Sequence, residues 1–139
     1  LYKIPFCILD LNKTINLESI LNELKKKNIS LICLAGYMKI LNKKFINRFN
    51  KKIINIHPSL LPKYKGLNTF RRVLENKDKL TGCTVHYVNK RLDSGKIILK
   101  KKVSVQLNDS EETLKNKVQV KEYRAYSESI INIFRQTSL

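Results

Sequence analysis

Residues 55–64, read N-I-H-P-S-L-L-P-K-Y, constrain this chain more than any other segment. Ile53, Ile54 and Ile56 make the entry to it a β-strand. Asn55 and His57, two apart, then project from the same strand face, so an amide donor and a titratable imidazole share one space. Pro58 biases His57 to an extended backbone, and Pro62 blocks a helix beyond it. The polar pair is thereby presented at a stiff strand-to-loop junction. Taken singly, a strand-end His and a turn Asn are ordinary; it is the run of ten that carries information.

Around this junction the hydrophobic pattern sets out layers. Residues 4–9 read as a strand. Leu17, Ile20, Leu21 and Leu24 follow at helical spacing, with Asn16 as the cap and Asn28 as the stop. Residues 29–34 form a continuous apolar run of the kind buried in parallel sheets, and a short helix is expected over about 43–49. This βαβαβ rhythm predicts an α/β fold, a doubly wound and mostly parallel sheet with helices on both faces. Later the pattern changes. Runs at 81–88 and 97–105 are separated by a connection too short for a helical crossover, which predicts an antiparallel strand pair. Asp109, Ser110, Glu111 and Glu112 look like a capping box opening a long carboxy-terminal helix, with Leu114, Val118, Ala125, Ile130, Ile133 and Phe134 on its buried face. Gln119 and Glu122, three apart, share another side of that helix.

At 139 residues, with no repeat, low-complexity tract or linker, one domain is the economical reading. The net charge of +17 would suit nucleic acid, but the lysines are scattered over different elements, so nucleic acid is disfavoured; anionic small molecules would still be attracted. Cys7, Cys33 and Cys83 lack metal-ligand spacing and are expected to be buried free thiols in a reducing cytoplasm. No stretch approaches the roughly 20 apolar residues of a membrane helix. No metal site is expected.

The ten-residue run resembles the signature of the folate-dependent formyltransferases. Within them K-Y-K-G-L at 63–67 is most similar to the phosphoribosylglycinamide formyltransferase family. The likeness continues through L-A-G-Y-M-K-I-L at 34–41, G-C-T-V-H-Y-V at 82–88 and L-D-S-G at 92–95, and fades outside about 29–126. Family members carry a further amino-terminal βα portion whose loop cradles phosphate at a helix start. Residues 1–139 are therefore expected to form a single formyltransferase domain without that portion, able to hold folate but poorly active alone.

The resemblance implies transfer of a formyl group from 10-formyltetrahydrofolate to the amine of glycinamide ribonucleotide, in de novo purine (IMP) synthesis. It implies Asn55, His57 and Asp93 as the catalytic residues. Asn55 would donate to the developing oxyanion, His57 would stabilise the same oxygen and supply a proton, and Asp93 would orient the imidazole. Folate is expected against Lys13, Met38, Lys39, Ile40 and Leu41, the loop residues Asn89, Lys90, Arg91, Leu92 and Asp93, and Asn55. The nucleotide substrate is expected at Gly36, Pro58, Gln119 and Glu122. Two departures stand out: Lys39 replaces the family's usual Arg, losing its planar fork, and Ser94 stands where Gly is common. His86, alternating with Thr84 and Val88, is read as a structural residue beside the site. Methionyl-tRNA formyltransferase is the nearest alternative, although it usually has W-R-G-A where this chain has Y-K-G-L. A formyltetrahydrofolate hydrolase and a non-catalytic folate- or nucleotide-binding fragment are further readings. Monomer and homodimer both remain open.

Overall fold

The computed structural model of the protein describes residues 3–6 and 17–135. In chain order its elements are α1 (Leu17–Lys26), β1 (Leu31–Leu34), α2 (Lys43–Phe49), β2 (Lys52–His57), α3 (Thr69–Glu75), β3 (Leu80–Tyr87), β4 (Ile97–Ser104) and α4 (Glu111–Arg135). Residues 3–6 form no regular element, and Ile4 and Phe6 are exposed, so the strand expected over 4–9 does not begin there. Among the described residues no strand pairs with them. The rest of that strand, Cys7, Lys13 and the Asn16 cap lie outside the described residues.

The described strands form one sheet in the order β1-β2-β3-β4. β1 and β2 run parallel, joined through α2, with Leu34 beside Asn55. β3 pairs antiparallel with β2, Asn55 facing His86 and His57 facing Thr84, and β4 pairs antiparallel with β3. The fold class is α/β as expected, but the sheet is mixed, with one parallel pairing of three among the described strands. The reason lies in the connection between β2 and β3. It contains a helix, α3, yet returns the chain antiparallel rather than making a crossover. That helix was not anticipated from the sequence, although Phe70, Val73 and Leu74 have helical spacing behind Asn68.

α4 covers β3 and β4 with the stripe Leu114, Val118, Ala125, Ser129 and Ile133. These side chains join Ile54, Val73, Cys83, Val85 and Val103 in the core. Phe134, expected in this stripe, is instead half exposed: Ile133 takes the inward position, and the next residue is turned about 100° around the helix. The start of α4 is capped reciprocally, the Ser110 amide donating to Thr113 Oγ1 at 2.9 Å and the Thr113 amide to Ser110 Oγ at 3.2 Å. Thr113 thus fills the place expected for an acidic side chain. Far along the helix, Tyr126 donates its phenol to the Leu34 carbonyl at 2.7 Å, tying α4 to the end of β1.

Because Leu114 is fully buried where α4 meets the sheet, Leu114→Ala is expected to cost about 2–5 kcal/mol through lost burial and a residual cavity. Urea unfolding would measure it, and a loss below ~1 kcal/mol would show that the helix does not anchor on this residue.

Candidate active site

β2 delivers Asn55 and His57 to one side of its carboxyl end, as their spacing requires, and the chain after it is pinned at several points. Thr84 on β3 accepts the Leu61 amide at 3.1 Å and donates its hydroxyl to the Ser59 carbonyl at 2.7 Å. Ser59 Oγ donates to the Lys63 carbonyl at 2.6 Å, and the Leu61–Pro62 peptide is cis. The turn is therefore fastened to the neighbouring strand by hydrogen bonds as well as stiffened by proline. It leads the backbone round to Tyr64 and Gly66, which return to the His57 side chain.

Three ionisable side chains converge there. His57 Nε2 lies 2.8 Å from the Tyr64 carbonyl, and its Nδ1 lies 3.4 Å from Asp93 Oδ2. A carbonyl only accepts, so Nε2 carries hydrogen and Nδ1 is the atom at which the ring gains or gives its second proton. Asp93 Oδ2 also accepts the Gly66 amide at 2.9 Å, while Oδ1 faces His86 Nε2 at 3.7 Å. His86 donates from Nδ1 to the Tyr87 carbonyl at 2.9 Å, which leaves Nε2 as a buried acceptor with no hydrogen-bond partner. Asp93 adopts the left-handed conformation (φ 44°), one of the few non-glycine types that tolerates it. Gly95, two residues on, lies where any Cβ would collide with the Tyr87 carbonyl, so the loop can fold back closely enough to deliver Asp93.

These groups open onto a cleft of about 670 Å³. Every expected site residue within the described set lines it. Met38, Lys39, Ile40 and Leu41 lie after β1, with Gly36 just before them. Asn55, His57 and Pro58 come from β2 and the turn that follows. Asn89, Lys90, Arg91, Leu92 and Asp93 form the β3–β4 loop, and Gln119 and Glu122 come from α4. Met38 and Ile40 are 82% and 72% exposed and Leu92 is 50% exposed, so an apolar wall stands uncovered along one side. The sequence reading did not assign Gly66, Leu67 and the start of α3, which also line the cleft. It underrated His86, whose alternation with Thr84 placed it beside the site without showing that it meets Asp93. Cys33 is exposed rather than buried, although the Tyr126 phenol of α4 lies against its thiol; Cys83 is buried as expected.

Burial holds Glu122 above the usual carboxylate range. Among the described residues no group of three or more His, Cys, Asp and Glu side chains could hold a metal ion, and no described helix is long and apolar enough to cross a membrane. Burial also depresses His86 below the ordinary 6.5; the Tyr87 carbonyl and Asp93 oppose this, while the charges of His57 and Lys65 add to it. With its folded value lowered, His86 contributes stability that is present above 6.5 and lost as the pH falls below it, since the unfolded chain takes up the proton first. The urea midpoint should therefore drop between about pH 7 and 5, and His86→Gln should flatten that slope. An unchanged slope in the variant would assign the pH dependence to other groups.

Residues 11–130 match the formyl transferase family model. The phosphoribosylglycinamide formyltransferase of Haemophilus influenzae is 49% identical over 109 residues, 78% of this chain and 51% of that protein. The trifunctional purine biosynthetic protein adenosine-3 of Chironomus tentans is 45% identical over 109 residues, 78% of this chain and 8% of that protein. The chain thus spans about half the length of the first and a small part of the second. Among solved structures, the phosphoribosylglycinamide formyltransferase of Bacillus halodurans superposes with a TM-score of 0.85 at 36% identity, covering 94% of this chain and 70% of that one. The match exceeds half the chain and spans every segment that lines the cleft, so this chain belongs to the formyl transferase family.

Proposed function

We propose that the protein containing this chain transfers a formyl group from 10-formyltetrahydrofolate to the amine of glycinamide ribonucleotide, a step of purine synthesis carried out in the cytoplasm. The observation that carries the reading is the His57–Asp93 contact inside a cleft that Asn55 also lines. The cleft fits a folate: it is open, walled on one side by exposed Met38, Ile40 and Leu92, and edged by Lys39, Lys90 and Arg91 for carboxylates. 10-Formyltetrahydrofolate supplies the formyl carbon and a nitrogen leaving group that must be protonated.

The chain's residues divide the remaining work. Asn55, on a paired strand between β1 and β3, offers a neutral donor whose position is set before any ligand arrives, which suits an oxygen that gains negative charge. His57 keeps Nε2–H on the Tyr64 carbonyl, so the proton it exchanges is held at Nδ1, against Asp93. Asp93 is anchored by the Gly66 amide and cannot follow the imidazole, so the pair keeps its geometry as charge shifts. Asp93 Oδ1 and His86 Nε2 are two acceptors 3.7 Å apart; a group with two hydrogens between them, as an amine or a water has, satisfies both. That arrangement is suited to taking a proton from the attacking amine as the new N–C bond forms and passing it, through a bound water, to the folate nitrogen as the old C–N bond breaks. Gly36, Pro58, Gln119 and Glu122 line the part of the cleft we assign to the nucleotide.

Formyl transfer between these substrates, followed with the full-length protein, tests the reading. Asp93→Asn should lower kcat by about 10²–10⁴ while the KM for the folate stays within roughly threefold. Asn55→Ala should lower kcat by about 10²–10³. Near-normal kcat in either variant would remove that residue's role, and absence of transfer by the unaltered protein would reject the activity.

A further inference from the structure

His57 and Asp93 are both held by the backbone of one short loop, and what holds the loop itself is a cluster outside the cleft. Tyr64 stands at φ 55°, a conformation a tyrosine does not adopt freely. Its phenol donates to Asp78 Oδ2 at 2.8 Å. Its ring carries the Arg72 guanidinium 5.1 Å from the centroid, on the same α3 surface. From that position Arg72 Nη1 donates to the Lys65 carbonyl at 2.7 Å and reaches the Leu67 carbonyl at 3.4 Å. The loop's other side is fastened by Lys65 Nζ donating to Ser94 Oγ at 2.6 Å, next to Asp93.

We infer that Arg72 is a positioning residue for the active site: by clamping the loop at Tyr64, Lys65 and Leu67, it fixes the Tyr64 carbonyl on His57 Nε2 and the Gly66 amide on Asp93. The clamped carbonyls flank Gly66, and the stacked ring belongs to the residue whose carbonyl meets His57, so a shift of this loop moves both contacts together. Arg suits the task because Nη1 carries two hydrogens for the two carbonyls while the planar guanidinium lies on the ring; a lysine offers a point charge without that plane. The consequence is chemical as well as steric. The Tyr64 carbonyl is what obliges His57 to carry hydrogen on Nε2 and to exchange its second proton at Nδ1, opposite Asp93. Without the clamp the ring is free to take either tautomer. This inference deepens the formyl-transfer reading but does not depend on it for its test.

The chain has only two histidines, so nitrogen NMR of ¹⁵N-histidine-labelled protein can read both. At a pH where the rings are neutral, His57 should show the Nε2–H tautomer and His86 the Nδ1–H tautomer. Arg72→Met should shift the His57 signals toward a mixture of tautomers and leave those of His86 in place. Arg72→Lys, which keeps the charge but loses the planar face on the ring, should fall between and serves if the first variant folds poorly. In the full-length enzyme kcat should fall roughly ten- to hundredfold with little change in either KM. An unchanged His57 tautomer in the folded variants overturns the clamp, whatever the activity. A changed tautomer in a protein that transfers no formyl group upholds the clamp and rejects the formyl-transfer reading instead.

Discussion

The site rests on one buried contact: an imidazole nitrogen 3.4 Å from a carboxylate, with both side chains only 7% exposed. Removing charged or polar groups from water is costly unless each lone pair and hydrogen finds a partner. Here the partners are main-chain groups rather than other side chains. The Tyr64 carbonyl takes one hydrogen of His57, and the Gly66 amide supports Asp93. Main-chain groups of a fastened loop cannot rotate away as a serine or glutamine could, so satisfaction of the pair and its orientation come from the same source. This explains why the turn after β2 is so heavily tied down, by Thr84, by Ser59 and by the Tyr64 ring, in a segment far longer than a simple reversal needs.

Much of this was legible in the sequence wherever a short-range rule applies. Period-two spacing correctly placed Asn55 and His57 on one face, the apolar run at 29–34 contained β1, and the brief gap after β3 foretold the antiparallel partner. Motif likeness brought Asp93 and the 38–41 segment to the same cleft although no local rule connects them. What was missed depends on tertiary return. Nothing in Y-K-G-L announces that its carbonyl and amide groups will meet His57 and Asp93, because backbone atoms carry no sequence signal. α3 escaped because its seven residues give less than two turns of periodicity. The antiparallel return from β2 to β3 was hidden for a related reason: a helix between two strands suggests a crossover, and only the hydrogen bonds to Thr84 and the pairing of His57 with Thr84 reveal that the chain turns back.

The surface charge takes on a different meaning beside this geometry. Lysines spread over many elements make a broad positive field, and the cleft adds Lys39, Lys90, Arg91 and Lys115 to its lining. Such a field raises the local concentration of anionic ligands without choosing between them. The cleft also offers apolar surface at Met38 and Ile40 beside polar groups at Asn55 and His57, so it presents both kinds of contact to one ligand.

The two departures from the family pattern both touch this site. Lys39 lines the open cleft beside exposed Met38 and Ile40, where a point charge can draw an anionic ligand without a fixed direction. Arg72 lies behind the loop, where two carbonyls and a ring must be met by one side chain and a point charge would not serve. Ser94, in place of a common glycine, gives Lys65 an acceptor and so joins the Tyr64 loop to the Asp93 loop directly. Lys65 and Arg72 thus meet the same loop in different ways, the lysine by one bond across to Ser94 and the arginine by carbonyl and ring contacts from behind.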